Sequence, residues 1–269
     1  MSDPAPPSLQ KIRGHKYDHG HVLVLAGGIC HSGAARLAAR GALRIGAGLV
    51  TLAPPLEAMS EHAHAPDALM RLPVDSPTDL RDAIAARRIN ALAIGPGLGL
   101  PRAERLLPVA LETGLPVVID ADALGALALK GHLLHDTSVL TPHLGEFARL
   151  YPDLAASLPE DPEARRQAAL AAARRSGAVM VLKGANTLIA APDGHSHRNM
   201  GEDAPWLATA GSGDVLAGII TGLLARGLSA YDAACTGVAV HTDCARRFGP
   251  GLIADDLPGQ IPAVLRAMA

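Results

Sequence analysis

Short, wholly apolar runs alternate with longer amphipathic ones along this chain. Val22–Ala26 (VLVLA) carries no polar position on either face and ends in Gly27-Gly28. Gly48–Ala53, Ala91–Gly95, Val117–Asp120, Val139–Thr141 and Val179–Leu182 are apolar on both faces apart from Thr51 and the polar ends Asp120 and Thr141, and each is no longer than a short strand. Such runs belong to parallel strands covered on both faces. Between them, helical spacing predicts helices from Ser32 to about Ile45, and over Arg102–Glu112, Pro162–Ser176, Gly213–Arg226, Ala230–Arg247 and Asp255–Met268. In the fourth of these, Leu216, Ile219, Ile220 and Leu223 fall at i, i+3, i+4 and i+7. Asn186–Ala191 and His195–Asn199, flanking Pro192-Asp193-Gly194, predict a hairpin. The alternation implies a three-layer α/β fold, a mostly parallel central sheet flanked by helices. No repeat, linker or composition break divides the chain, so one domain is expected over residues 11–269, preceded by a flexible Pro-rich leader at residues 1–10.

Composition narrows the function. Nearly half of the 269 residues are hydrophobic yet only 2% are aromatic, so Ala, Leu, Val and Ile must fill the interior. With 19% charged residues and a formal net charge of −2, the chain is neither a charged disordered polymer nor suited to polyanions. Stacking rings for single-stranded nucleic acid are nearly missing. Small-molecule ligands are expected, and no nucleic acid. Cys30, Cys235 and Cys244 are too few and too irregularly spaced for a disulfide framework or a paired-cysteine metal knuckle, which fits a reducing compartment. The leader has no apolar signal core, and no run reaches the roughly 18 apolar residues of a membrane span. A cytoplasmic protein without membrane contact is the expectation.

Several turns at strand ends carry candidate chemistry. Ala208-Thr209-Ala210-Gly211-Ser212-Gly213-Asp214 leads into a helix, where small residues leave backbone N–H groups free to bind an anion. Asp214 in the first turn is either a plain helix-end acid or a base facing whatever the anion hole holds. A base there suits a hydroxyl that is deprotonated as it attacks a phosphoryl group. Only four of the 24 basic residues are lysines, and one of them, Lys183, closes a buried strand in the run VLKGANT. It either snorkels from the strand end or reaches a ligand at the edge where open α/β sheets bind them. In VLTPHLGE, Thr141 as N-cap and Pro142 at the first helical position make a sound helix start, which leaves His143 for a polar ligand. His62, His64 and His132 read as solvated surface positions. Ile94-Gly95-Pro96-Gly97-Leu98-Gly99 and the pair Asp120/Asp122 also follow buried strands, the aspartates as helix caps or as ligand or metal-water contacts. The loop Gly27–Ala34 lacks GxGxxG spacing, and no acid closes the next strand, which disfavours a Rossmann dehydrogenase. All these turns would converge on one rim.

Taken together, the stretches HKYDHGHVLVLAGG (15–28), SGAARLAARGALRIGAGLVTLA (32–53), IGPGLG (94–99), VIDADAL (118–124), VLTPHLGEFARL (139–150), VLKGANTLIAAPDG (181–194) and ATAGSGDVLAGIITGLLARG (208–227) resemble the ADP/ATP-dependent NAD(P)H-hydrate dehydratase family of the ribokinase-like superfamily. The first loop departs modestly, reading AGGICHSG where an AGS-type start is commoner. The resemblance implies repair of the S epimer of hydrated NADH or NADPH: the ring hydroxyl is phosphorylated by ADP or ATP, and phosphate then leaves. By position, Ala34, Gly97, His143 and Asp214 would contact the hydrated cofactor. Lys183, Gly184, Ala185, Asn186, Thr187 and Gly213 would hold the nucleotide, and Asp214 would be the base. Mg²⁺ is implied, with no protein ligand assigned. A bacterial-type stand-alone form is implied too, ADP as its donor, a homo-oligomer such as a tetramer, acting alongside a separate epimerase. Two rivals use the same turns: a small-molecule kinase of the hydroxyethylthiazole or hydroxymethylpyrimidine type, and a silent nucleotide sensor.

Overall fold

The computed structural model describes residues 9–11, 14–64, 66–132, 134–155 and 161–268; residues 1–8 of the expected leader lie outside them. The strands are β1 (His21–Leu25), β2 (Leu49–Ala53), β3 (Met70–Arg71), β4 (Ala91–Ile94), β5 (Val117–Ile119), β6 (Ser138–Leu140), β7 (Val179–Leu182), β8 (Asn186–Ala190) and β9 (Ser196–Met200). Among the described residues they form one sheet in the order β3-β2-β1-β4-β5-β6-β7-β8-β9. Pairing is parallel from β3 through β7, and β8 and β9 add the predicted hairpin antiparallel to it.

The helices are α1 (Ser32–Arg44), α2 (Pro77–Arg87), α3 (Leu100–Glu112), α4 (Ala121–Lys130), α5 (Leu144–Leu150), α6 (Pro152–Ala155), α7 (Pro162–Ser176), α8 (Ser212–Ala225), α9 (Ala230–Phe248) and α10 (Leu257–Ala267). Alternate strand positions feed two cores. Val22, Val24, Val50 and Val118 face α1, α8, α9 and α10, whereas Leu23, Leu25, Leu92 and Ile119 face α2, α3, α4 and α7. Burial on both sides is why β1 shows no period-two alternation.

Helices α1 and α8 touch backbone to backbone. A Cβ on Gly218 would lie 1.9 Å from the Ala38 carbonyl oxygen, and one on Gly222 would lie 2.4 Å from Ile45 Cγ2. Gly41 answers from the other helix, 2.7 Å from the Val215 oxygen by the same measure. This contact fixes the first turn of α8 against that of α1. Most strand and helix ends fall within two residues of their sequence-based positions, and α4 follows the aspartates read as its caps, but β3, α2 and α6 are not marked by the sequence pattern. Among the described residues, no helix is long and apolar enough to cross a membrane.

Candidate active site

The C-terminal ends of β1, β4, β5, β6 and β7 meet the N-termini of α1 and α8 along one edge of the sheet. Gly211 takes φ +87° as the N-cap of α8, which turns the chain into the helix one residue earlier than Gly213. The first intrahelical bond runs from Val215 N to the Gly211 oxygen at 3.2 Å, so the Gly213 and Asp214 amides precede the helical ladder. Two bonds hold the turn: Ser212 Oγ donates to the Leu207 oxygen at 2.8 Å, and the buried His241 Nε2–H donates to the Ser212 oxygen at 2.9 Å. Burial lowers the His241 pKa to about 4, keeping its ring neutral. A Cβ on Gly213 would sit 3.3 Å from Lys183 Nζ, so glycine there leaves the ammonium room beside the turn.

Charge is concentrated behind that turn. Lys183 Nζ donates to Asp120 Oδ1 at 2.8 Å and lies 3.9 Å from Glu146 Oε2. Asp120 is almost fully buried, at 2% exposure, while the Lys183 side chain keeps partial access to water. Asp214 is raised from 3.8 to about 7, first by burial and then by the Asp120 charge, with Asp122 and Glu146 adding and Lys183 opposing. A carboxylate so placed can take up a proton near neutral pH, as a general base must. The two aspartates left open by the sequence now separate. Asp120 occupies the N-cap position of α4 without capping it and turns to Lys183, while Ala121 after it takes the left-handed φ of +45°. Asp122 Oδ2 accepts from Gly99 N at 2.8 Å and anchors the turn after β4.

The start of α5 corrects the sequence-based assignment. His143, not Thr141, is the N-cap; its Nδ1 accepts from the amides of Gly145 (3.0 Å) and Glu146 (3.3 Å), and Glu146 Oε2 accepts from His143 N at 2.8 Å. Thr141 is buried instead. With Nδ1 accepting, the neutral ring carries its proton on Nε2, 3.5 Å from Glu146 Oε1. His143, Glu146, Lys183 and Asp120 thus form one polar chain along the rim.

Gly97, at φ +61°, packs on the start of α1: a Cβ there would lie 3.0 Å from Ala34 Cβ, and one on Gly27 would lie 1.9 Å from the Gly97 oxygen. Leu37, one turn after Ala34, abuts Gly211, so Ala34 and Asp214 share the rim. In the departing loop Cys30 holds φ +65°, and its amide donates to both carboxylate oxygens of Glu61 at 2.9 and 3.0 Å. His62 is a second correction. It is fully buried rather than solvated, and its Nε2 lies 3.3 Å from the Gly27 oxygen.

The nucleotide candidates line a cavity of about 460 Å³. Lys183, Gly184, Ala185, Thr187 and Gly213 face it beside His143, and Leu216, Val238 and His241 close its apolar side. Asn186 is not among its walls; its Nδ2 donates to Glu202 Oε1 at 2.6 Å. Asp214, Ala34 and Gly97 are not among them either. A wider cleft of about 690 Å³ beside α1 and α10 contains none of these residues.

Sequence reasoning passed over Glu146, His241 and Arg102. Glu146 had a signal, the acid three residues after the true cap. His241 sits on the apolar stripe of α9 with nothing local to mark it. Arg102, buried at 7% exposure, donates to the oxygens of Ala26 (3.1 Å), Ala53 (3.2 Å) and Val74 (2.5 Å), tying three strand ends together.

Similarity to known proteins bears on the same edge. The sequence is 41% identical over 278 residues to the bifunctional NAD(P)H-hydrate repair enzyme Nnr of Moorella thermoacetica, covering 96% of this chain and 51% of that one. Against the enzyme of the same name from Escherichia coli it is 38% identical over 252 residues, covering 90% and 47%. The chain therefore spans about half the length of the curated relatives it matches. The ADP/ATP-dependent NAD(P)H-hydrate dehydratase of Bacillus subtilis, co-crystallised with ATP/Mg²⁺, superposes with a TM-score of 0.84 at 30% identity, over 97% of this chain and 94% of that one. Arabidopsis thaliana ribokinase shares the fold alone, with a TM-score of 0.60 at 11% identity over 92% and 99% of the two chains. Residues 22–258, which hold every strand end of the rim, match the Carb_kinase family, described as NAD(P)H-hydrate dehydratase, and the chain belongs to that family.

Proposed function

We propose that this chain restores hydrated NADH and NADPH to the reduced cofactors by nucleotide-driven dehydration. The observation that carries the proposal is Asp214: a carboxyl with a pKa of about 7, in the first turn of a glycine-led helix, beside Lys183. The Gly213 and Asp214 amides and the Lys183 ammonium receive the terminal phosphoryl group of ADP or ATP. Gly184, Ala185, Asn186 and Thr187 hold the rest of the nucleotide. Ala34, Gly97 and His143 bring the hydrated ring to the other side of Asp214, with the half-exposed His143 ring offering Nε2, beside Glu146 Oε1, to a polar group of the cofactor.

Asp214 takes the hydroxyl proton as that oxygen attacks the terminal phosphorus, and the bond to the nucleotide's bridging oxygen breaks. The ring nitrogen's electron pair then expels phosphate with cleavage of the carbon–oxygen bond. Loss of a proton from the adjacent carbon restores the double bond. Overall the hydroxyl leaves as part of phosphate, and the nucleotide loses one phosphoryl group.

Mg²⁺ is in keeping with phosphoryl transfer, where it neutralises phosphate charge. The chain itself builds no cage for it: among the described residues, no three Asp, Glu, His or Cys side chains are grouped to hold a metal, and Asp120 is committed to Lys183. The ion would therefore enter on nucleotide phosphates and water, and no proton step is assigned to it.

The test is direct. Hydrated NADH is incubated with ADP or with ATP, and recovery of reduced-nicotinamide absorbance is followed together with phosphate release. Recovery with stoichiometric phosphate is expected; a stable phosphorylated product would instead make the chain a kinase, and tight nucleotide binding with no turnover would make it a sensor.

A further inference from the structure

Among the described residues two arginines keep buried guanidinium nitrogens without a partner, Arg36 through Nε alone and Arg165 through two. Arg165 lies in the second turn of α7 and brings its guanidinium against the turn after β7: a Cβ on Gly184 would lie 2.9 Å from Arg165 Nη2 and 3.9 Å from its Cζ. Gly184 thus leaves the guanidinium room to lie against the turn, where a side chain would displace it. Both Nε and Nη2 of Arg165 are buried, and neither has an acceptor among the described residues. Arg166, its neighbour, is by contrast committed to Glu163 at 2.6 Å.

A guanidinium stays charged at any physiological pH, and its buried donors are costly when unmet. The charge balance of the rim points the same way. Asp120, Asp122, Glu146 and Asp214 face a single nearby ammonium, Lys183, which is already bound to Asp120. Even with Mg²⁺ on its phosphates, a polyphosphate entering such a site meets more carboxylates than ammonium groups, and a second side-chain cation would balance them. Resting on the nucleotide assignment made above, we infer that Arg165 is a nucleotide-binding residue, its unmet N–H donors completed by an anionic oxygen of the polyphosphate chain as the nucleotide settles over Gly184. Arg165 then acts in recognition rather than in the proton transfer at Asp214.

The test uses Arg165→Gln and Arg165→Lys in the full chain. Removing a buried donor set that lacks acceptors should leave the unliganded Arg165→Gln protein as stable as the parent, or more so. Its affinity for ADP and ATP by calorimetry should fall at least about 10-fold, the loss expected for one charge-assisted hydrogen bond. The gain in melting temperature on adding nucleotide should shrink in step. Arg165→Lys, which keeps charge but loses the planar fork, should fall between the two. AMP, which lacks the chain of phosphates, should bind parent and variant alike. Unchanged ADP and ATP affinity in Arg165→Gln overturns the inference, as does a lowered unliganded melting temperature together with unaltered nucleotide stabilisation, the mark of a purely structural arginine. If the parent chain itself binds no nucleotide, it is the proposed reaction that fails, and the two failures are told apart.

Discussion

Replacing Asp214 by Asn should move activity and stability in opposite directions. Folding takes this carboxyl from 3.8 to about 7, because it is buried among Asp120, Asp122 and Glu146 with only Lys183 in compensation. Between those two values the native protein holds a proton that the unfolded chain has released, so stability falls as pH rises, and it levels off above about 7. At about 1.36 kcal/mol per pH unit the ceiling on this loss is ~4 kcal/mol; partial solvent access reduces it, and ~2 kcal/mol is the working figure. Asn has the same shape and no charge. Its advantage over Asp should be near zero at pH 4 and reach ~2 kcal/mol at pH 8, about 4–8 °C in melting temperature for a chain of this size. Turnover should fall by roughly 10²–10⁴-fold, as for loss of a positioned base, with nucleotide affinity retained. In the parent enzyme kcat should rise with pH through about 7 as Asp214 loses its proton. Paired melting curves at pH 4.5 and pH 8, with turnover on hydrated NADH, decide the matter. A melting gap that is the same at both pH values, or an active Asn variant, refutes the assignment of this charge and of this role.

Other perturbations have equally definite outcomes. Lys183→Met strips the partner from buried Asp120 and the one charge that holds Asp214 down; it should cost about 2 kcal/mol, weaken nucleotide binding, and move the residual pH–rate profile to higher pH. An unmoved profile would separate Lys183 from the base. Gly218→Ala puts a methyl group 1.9 Å from the Ala38 oxygen and should cost roughly 3 kcal/mol, seen as a melting temperature lower by about 6–12 °C. His143→Ala removes the α5 cap at a cost of about 1 kcal/mol and should raise KM for the hydrated cofactor with nucleotide affinity unchanged. Steady-state kinetics varying each substrate in turn would show whether the defect falls on the nucleotide instead.

Features set by local chemistry were legible in the chain. Buried strands such as Val22–Ala26, the Gly211–Asp214 turn and the β8–β9 hairpin all follow from apolar runs and glycine placement. The cap of α5 was misplaced because Thr-Pro is a stronger local pattern than His followed three residues later by Glu; only the fold shows Thr141 buried. His62 was assigned to the surface because a lone histidine in a polar stretch carries no sign of its eventual neighbour, the Gly27 carbonyl. The roles of Asp120 and Asp122 rest on partners 63 and 23 residues away, Lys183 and Gly99, and no spacing rule reaches so far. Arg102 is the extreme case, since its acceptors are carbonyls, which every residue possesses.

The glycine seam between α1 and α8 has a mechanical consequence. Two helices whose peptide groups interlock at Gly41, Gly218 and Gly222 cannot slide or roll independently, so they move as one strut. The floor carrying Ala34 and Asp214 is consequently stiff. The opposite wall is held differently, the β8–β9 ribbon by strand pairing and by Asn199 Nδ2 donating to Thr242 Oγ1 at 2.9 Å, so adjustment to the two ligands is easier there than along the seam.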